Sequence, residues 1–140
     1  LHPEVRKDTA VILSNELPKL IQSMKFPKKM TYDDSGVEYA RPIRWLVSLY
    51  GTSVLPFSFG KVSASNISWG HRQLDPREVR IPSCERYIDT LRDACVIVSH
   101  KERREIIEQG LKLHSSDSVS PITNPRLLEE TVFLTEHPFV

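Results

Sequence analysis

Cysteine is scarce in this sequence. Two of the 140 residues, Cys84 and Cys95, carry thiols, and no C-x-x-C pair is present. That usage favours buried cytosolic thiols over a disulfide or a metal clip. The five histidines, His2, His71, His100, His114 and His137, stand singly, without the close second ligand that a zinc site shows, so no metal is expected. Glycine is equally thin. Of Gly36, Gly51, Gly60, Gly70 and Gly110, no two fall within a GxGxxG or Walker frame, so no phosphate-cradling loop is present. G-x-S-x-G, H-E-x-x-H and a Cys with a nearby His are also missing, which leaves no visible nucleophile. Apolar runs stay short. Residues 45–49 are among the longest, far below the roughly 20 needed to cross a bilayer. No basic and then apolar leader opens the chain, so export is not expected. Charge of one sign is lacking too: 19 basic residues face 18 acidic ones, for a net charge of +1. A polyanion partner must therefore be met by local clustering rather than by overall charge.

What is present suits one ordinary folded domain. Hydrophobic residues make up 39% and charged residues 26%, enough apolar surface for a core and too much for wholesale disorder. The chain opens on Leu1 rather than methionine and stops in TEHPFV, so a piece of a longer protein is expected.

Residues 8–24 place Val11, Ile12, Leu17, Leu20, Ile21 and Met24 at helical spacing, with Asp8 or Thr9 as N-cap. Pro18 predicts a kink or a fresh start near Glu16. A turn follows at 33–36. The run 43–50 ends at Gly51, and apolar residues resume with Val54, Leu55, Phe57 and Phe59. This predicts a β-hairpin of two strands of about eight residues, the second at an edge because of Pro56. EVRIP reads as a short strand. Residues 83–98 read as a helix whose face is Tyr87, Ile88, Leu91, Ala94 and Cys95, which would bury both cysteines. Ser99 and Glu102 form a capping box for a helix to about Leu113. Its Ile106, Ile107 and Leu111 are expected inside, with Lys101, Arg103, Arg104 and Glu105 as a solvated face. Asn124-Pro125 opens a short helix around Leu127, Leu128 and Glu130, and TVFLT reads as a final strand. The fold class is α+β (mixed α/β), a mostly antiparallel or mixed sheet with packed helices.

The remaining candidates are basic and positional. Lys28 and Lys29, Arg41 and Arg44, and Lys61, His71 and Arg72 lie in or beside loops, where binding groups concentrate. Lysine and arginine there can meet RNA phosphates, and Trp69 can stack on a base. The competing reading makes them solvated flanks. Asp33-Asp34 is read as turn chemistry rather than an acid–base pair. Pro42 biases Arg41 toward extended backbone, leaving it as an RNA hook or an ion-pair donor. Arg44 is expected inside the strand in a structural role.

These residues also carry a resemblance. FPKKM, then YARPIRWLVSLYG, VLPFSF, WGHR, ERREII and ITNPRLLEETVFLTEHP follow, in order, blocks of the β subunit of the bacterial-type glycyl-tRNA synthetase. The family runs close to P-K-x-M-x-W, R-P-I/V-x-W, V-x-P-F, S-G-R-x-T-x-G-H-R-F, E-R-R-x-x-I and N-x-x-L-L-E-E-x-x-x-L-x-E-x-P. The likeness spans about 27–138. Ser63-Ala64-Ser65-Asn66 departs from the S-G-R block, Gln73 replaces the aromatic, and Tyr32 stands where tryptophan is usual. Gly70, His71 and Arg72 match.

The resemblance implies a single domain over 1–140, with an N-terminal helical segment (1–26) and a core at 27–140 like the B3/B4-type domain of the phenylalanine enzyme. It implies an accessory part of a cytoplasmic ligase that joins glycine to tRNA(Gly). ATP and Mg serve the whole enzyme, with none bound by this part. Catalysis would lie in the α subunit or a fused α region, and this part would hold the tRNA acceptor arm, with Lys28, Lys29, Arg41, Arg44, Lys61, His71 and Arg72 supplying phosphate contacts or the loop geometry that places them. A docking scaffold for the α part or other β-subunit domains is the rival, and a hydrolytic editing domain is third, since excluding amino acids larger than glycine is sterically easy.

Overall fold

Asp8 starts the first helix because its carboxylate accepts the amide hydrogen of Ala10 at 2.9 Å, one of the N–H groups that a helix leaves unpaired at its start. In the computed structural model, which describes residues 8–115, 121 and 124–139, α1 runs over Thr9–Ser23. It continues through Pro18 rather than starting afresh near Glu16. The ring removes one amide donor, and the neighbouring turns hold the helix across the gap. None of its side chains is fully buried; Leu13, Leu17 and Ile21 are half-buried.

Two units divide the chain: Leu1–Ser68 with Arg80–Arg86, and Trp69–Val79 with Tyr87–Val140. In the first, β1 (Met30–Thr31) and β2 (Glu38–Tyr39) form an antiparallel ribbon with Met30 opposite Tyr39. The expected turn between them is there. Asp33 accepts the Ser35 amide at 2.9 Å as well as its hydroxyl, and Gly36 takes a φ of +74°. The ring of Tyr39 ties the ribbon down, lying 4.8 Å from Phe26 and 5.8 Å from the buried Phe59, centroid to centroid.

The predicted pair of eight-residue strands is instead a series of short ones, β3 (Leu46–Val47), β4 (Leu49–Tyr50), β5 (Ser53–Val54) and β6 (Ser58–Phe59), and a strand not predicted, β7 (Val62–Ser65), follows them. β4 and β5 make the expected hairpin across Gly51-Thr52, with Gly51 at φ +60°. β3, however, pairs in parallel with β7, which also pairs antiparallel with β6. Ser48 is where the chain changes partner. Its amide donates to Ser65 at 3.0 Å and its carbonyl accepts from Leu55 at 3.1 Å. One continuous ladder could not serve both neighbours. Leu55, Phe59 and Ile81 are the buried apolar residues of this unit among the described residues.

β8 (Ile67–Trp69) and β9 (Glu78–Arg80) pair, and the chain passes between the units in these strands. The strand predicted at EVRIP is therefore present. In the second unit, α2 covers only Tyr87–Asp93. It ends in a Schellman closure: Val96 donates to Leu91 at 2.8 Å and Cys95 to Arg92 at 2.9 Å, with Cys95 itself at φ +58°. This stop shortens the predicted helix and corrects the reading of the thiols. Cys84 precedes the helix and is exposed, while Cys95 is half-buried at the left-handed cap. Ile88 is exposed as well, so the buried face reduces to Leu91 and Ala94.

α3 (His100–Leu113) opens on the predicted cap, with Ser99 Oγ accepting the Glu102 amide at 3.3 Å. α4 (Pro125–Leu134) replaces the predicted TVFLT strand. Asn124 Oδ1 accepts from Arg126 and Leu127, Pro125 needs no donor partner there, and Val132 is fully buried. A strong local start and tertiary burial thus override the β preference of Thr131, Val132 and Phe133. Arg103 also departs from the solvated face expected of it. It donates to the carbonyls of Val132 (2.9 Å), Ile97 (2.6 Å) and Val98 (3.1 Å). The first of these is a C-terminal carbonyl of α4 with no partner within its helix. The architecture is mixed α+β, four helices with several small antiparallel and mixed sheets among the described residues. No helix among them is long and apolar enough to cross a membrane.

Candidate nucleic-acid interface

Five of the seven candidate residues belong to the first unit, and the ribbon sorts them. Lys28 and Lys29 lead directly into β1, and Arg41 leaves β2 two residues after Tyr39. Because Met30 faces Tyr39 across the ladder, all three reach the same end of the ribbon. Each is exposed, and none is paired with a carboxylate among the described residues. Three uncompensated cations at one ribbon end form the local cluster that the near-neutral overall charge does not supply.

Arg44 lies further along the same connection, exposed and outside β3. The place expected for it, inside the strand, is corrected, because the strand begins only at Leu46. Lys61 sits apart from the cluster. It occupies the two-residue loop between β6 and β7 and pairs with Asp34 in the opposite turn of the ribbon. Its charge is thereby compensated by a carboxylate. Beside it, the Asp33 carboxyl is held below the ordinary carboxylate range, first by the Ser35 hydroxyl, then by the Ser35 amide, with Lys61 adding to the effect. Gly60, at φ +60°, leaves only 3.0 Å between an added Cβ and Ser35 Oγ, so the loop and the turn are fitted closely. Asp33-Asp34 therefore does turn chemistry.

The other two candidates, His71 and Arg72, lie in the second unit, in a turn that follows Trp69. The chain leaves β8 at Gly70, whose amide donates to Arg77 at 3.0 Å. A Cβ at Gly70 would strike the carbonyl oxygen of Asp75 and come within 3.0 Å of that of Ala94. His71 donates its amide to Ala94 at 2.9 Å and accepts the Asp75 amide at 2.9 Å. Asp75 and Arg77 add an ion pair at 2.8 Å, and that bond holds the Arg77 guanidinium above its ordinary pKa. Trp69 and Arg72 face solvent from this framework. Among the described residues no group of three or more His, Cys, Asp or Glu could hold a metal ion.

Sequence reasoning missed Arg103. It sits in the run KERRE, where nothing local separates a half-buried, carbonyl-bound guanidinium from a solvated one. The missed pairing of Lys61 with Asp34 likewise joins two loops that only the ribbon brings together.

Fold and displays together define a mixed α+β module with exposed cations at a ribbon end and on a braced turn. A sequence profile described as glycyl-tRNA synthetase beta subunit matches residues 2–140. The chain belongs to that family. It is 66% identical over 140 residues to a glycine–tRNA ligase of Chlamydia pneumoniae, covering all of this chain and 14% of that protein. It is 69% identical over 138 residues to that of Chlamydia muridarum, covering 99% of this chain and 14% of the relative. A glycine–tRNA ligase beta subunit from Natranaerobius thermophilus is 41% identical over 128 residues, 91% of this chain and 18% of the relative. The chain thus spans well under a quarter of the length of these relatives.

Proposed function

We propose that this chain is an accessory part of a cytoplasmic glycine–tRNA ligase that helps bind and position tRNA(Gly) by its acceptor arm. Glycylation with ATP is carried out elsewhere, by the α subunit or an α region of the same polypeptide. The observation that carries this reading is the exposed cluster of Lys28, Lys29 and Arg41 at one end of the β1–β2 ribbon. Phosphates need closely placed cations, and register supplies them here without any overall basic charge. Arg44 extends the cluster along the connection, and Trp69 with Arg72 offers a base platform and a cation in the second unit. His71 belongs to that turn. Lys61, compensated by Asp34, is the weakest contributor of the seven.

The test is titration of tRNA(Gly) with the chain across a salt series. The affinity should fall with salt, and Lys28→Ala/Lys29→Ala should lower the log–log slope by roughly 0.7 to 0.9 for each phosphate that is no longer neutralised. An unchanged slope, or no binding in dilute salt, would sink the proposal. A second reading has its own support: Leu113, Leu134 and Phe139 are 84%, 82% and 76% exposed, as expected of a module that docks against other parts of the ligase. Failure to bind tRNA, together with binding to the α part, would favour it.

A further inference from the structure

The turn after β8 contains a side chain whose chemistry is already committed. His71 Nδ1 accepts the amide hydrogens of both Gln73 and Leu74, each at 3.2 Å. A ring nitrogen that accepts two N–H bonds carries no proton, so the ring proton sits on Nε2. The backbone of His71 is engaged on both sides, by Ala94 and by Asp75. Its ring packs edge-on to His137, with centroids 6.3 Å apart at 75°. The bonds reach over one residue to close on the next two, as an asparagine side chain does in an Asx turn. The residue bridged is Arg72, and it is exposed.

We propose that His71 is a positioning residue: its imidazole folds the turn that presents Arg72 to a tRNA phosphate, and it makes no RNA contact itself. This rests on the tRNA-binding reading above. It separates two roles that adjacent residues of one turn would otherwise share.

Amide isosteres distinguish the nitrogens. Asparagine places an acceptor near the position of Nδ1, whereas glutamine places its amide nitrogen near that of Nε2. The experiment measures tRNA(Gly) binding by the full-length protein at low salt, with thermal unfolding as the folding control. Arg72→Ala should weaken binding about tenfold, the range of one charge-assisted hydrogen bond. His71→Ala and His71→Gln should fall to the same level, and His71→Asn should stay within about twofold of the parent. The double change His71→Ala/Arg72→Ala should be no weaker than Arg72→Ala alone, because the histidine acts only through the arginine.

Rescue by glutamine but not asparagine would overturn the inference in favour of a contact through Nε2. So would a double variant weaker than Arg72→Ala by the full factor of His71→Ala, which marks independent contacts. Arg72→Ala binding as the parent also overturns it. In that case the proposed function stands if Lys28→Ala/Lys29→Ala still weakens binding, and falls with it if that variant binds unchanged. If His71→Ala fails to fold, the asparagine and glutamine variants carry the comparison alone.

Discussion

The basic end of the β1–β2 ribbon and the turn after β8 both present cations to solvent, but they are built on different terms. The ribbon end hangs three long side chains on a ladder only two residue pairs long. Nothing among the described residues fixes where Lys28, Lys29 and Arg41 point. The turn holds one exposed arginine without a carboxylate partner among the described residues, Arg72, on a frame of backbone bonds, a ring nitrogen and a glycine without room for a Cβ. The first arrangement suits attraction that tolerates movement and fades with salt, and the second suits one contact in one place. Substitutions in the frame of the turn should therefore register first as reduced stability, and those of the ribbon-end cations as weaker binding alone.

Gly70→Ala makes the largest break. The added methyl meets the Asp75 carbonyl oxygen and lies 3.1 Å from the Ala94 side chain, and backbone cannot swing aside as a flexible side chain can. Overpacking of this kind predicts a loss of about 3 kcal/mol in denaturant unfolding. A variant as stable as the parent would erase the distinction between frame and display.

Tyr32→Phe probes the ribbon from its own side. The Tyr32 hydroxyl is buried with no hydrogen-bond partner, directly after β1. Removing it spares the desolvation of an unmatched polar group and should stabilise the chain by about 1 kcal/mol, seen as a higher urea midpoint with an unchanged slope. Binding of tRNA should stay as it was. Lower stability would mean that the hydroxyl is satisfied, and that the turn end of the ribbon is more closely fitted than the loose display of cations at its opposite end suggests.

How much of this could be read in advance depends on the range of the interaction. The caps at Asp8, Ser99 and Asn124, the turn at 33–36 and the Gly51 hairpin are local, written within a few residues, and they appear as expected. The parallel pairing of β3 with β7 joins segments separated by the whole β4–β6 region, and no local pattern encodes the change of partner at Ser48. The helical fate of Thr131, Val132 and Phe133 is decided by burial of Val132 and by the Asn124 start, against their own preference. For the candidate site the residue types were legible and their states were not. Lys61 reads as a free cation until Asp34 is placed beside it, and nothing in the local sequence shows that the Nδ1 of His71 accepts the amides of Gln73 and Leu74.

Acidification gives the smallest effect and the finest test of the ribbon. The Asp33 carboxyl is stabilised in its charged form chiefly by the Ser35 hydroxyl and amide, so its pKa in the fold lies below the ordinary value of 3.8. A depressed carboxylate contributes stability that is complete above the unfolded pKa and is lost as pH falls through the folded one. Urea midpoints of the parent and of Asp33→Asn should therefore differ at neutral pH, with the parent the more stable, and converge below about pH 4. Asp33 is half-exposed and its bonds to Ser35 lie at the surface, so solvent screens the effect and the gap should be small. A gap that persisted unchanged into acid would show that asparagine disturbs the Ser35 bonds by geometry rather than by charge. The ribbon turn would then be a fitted frame like the one around His71, and the contrast between the two regions would narrow to their exposed cations.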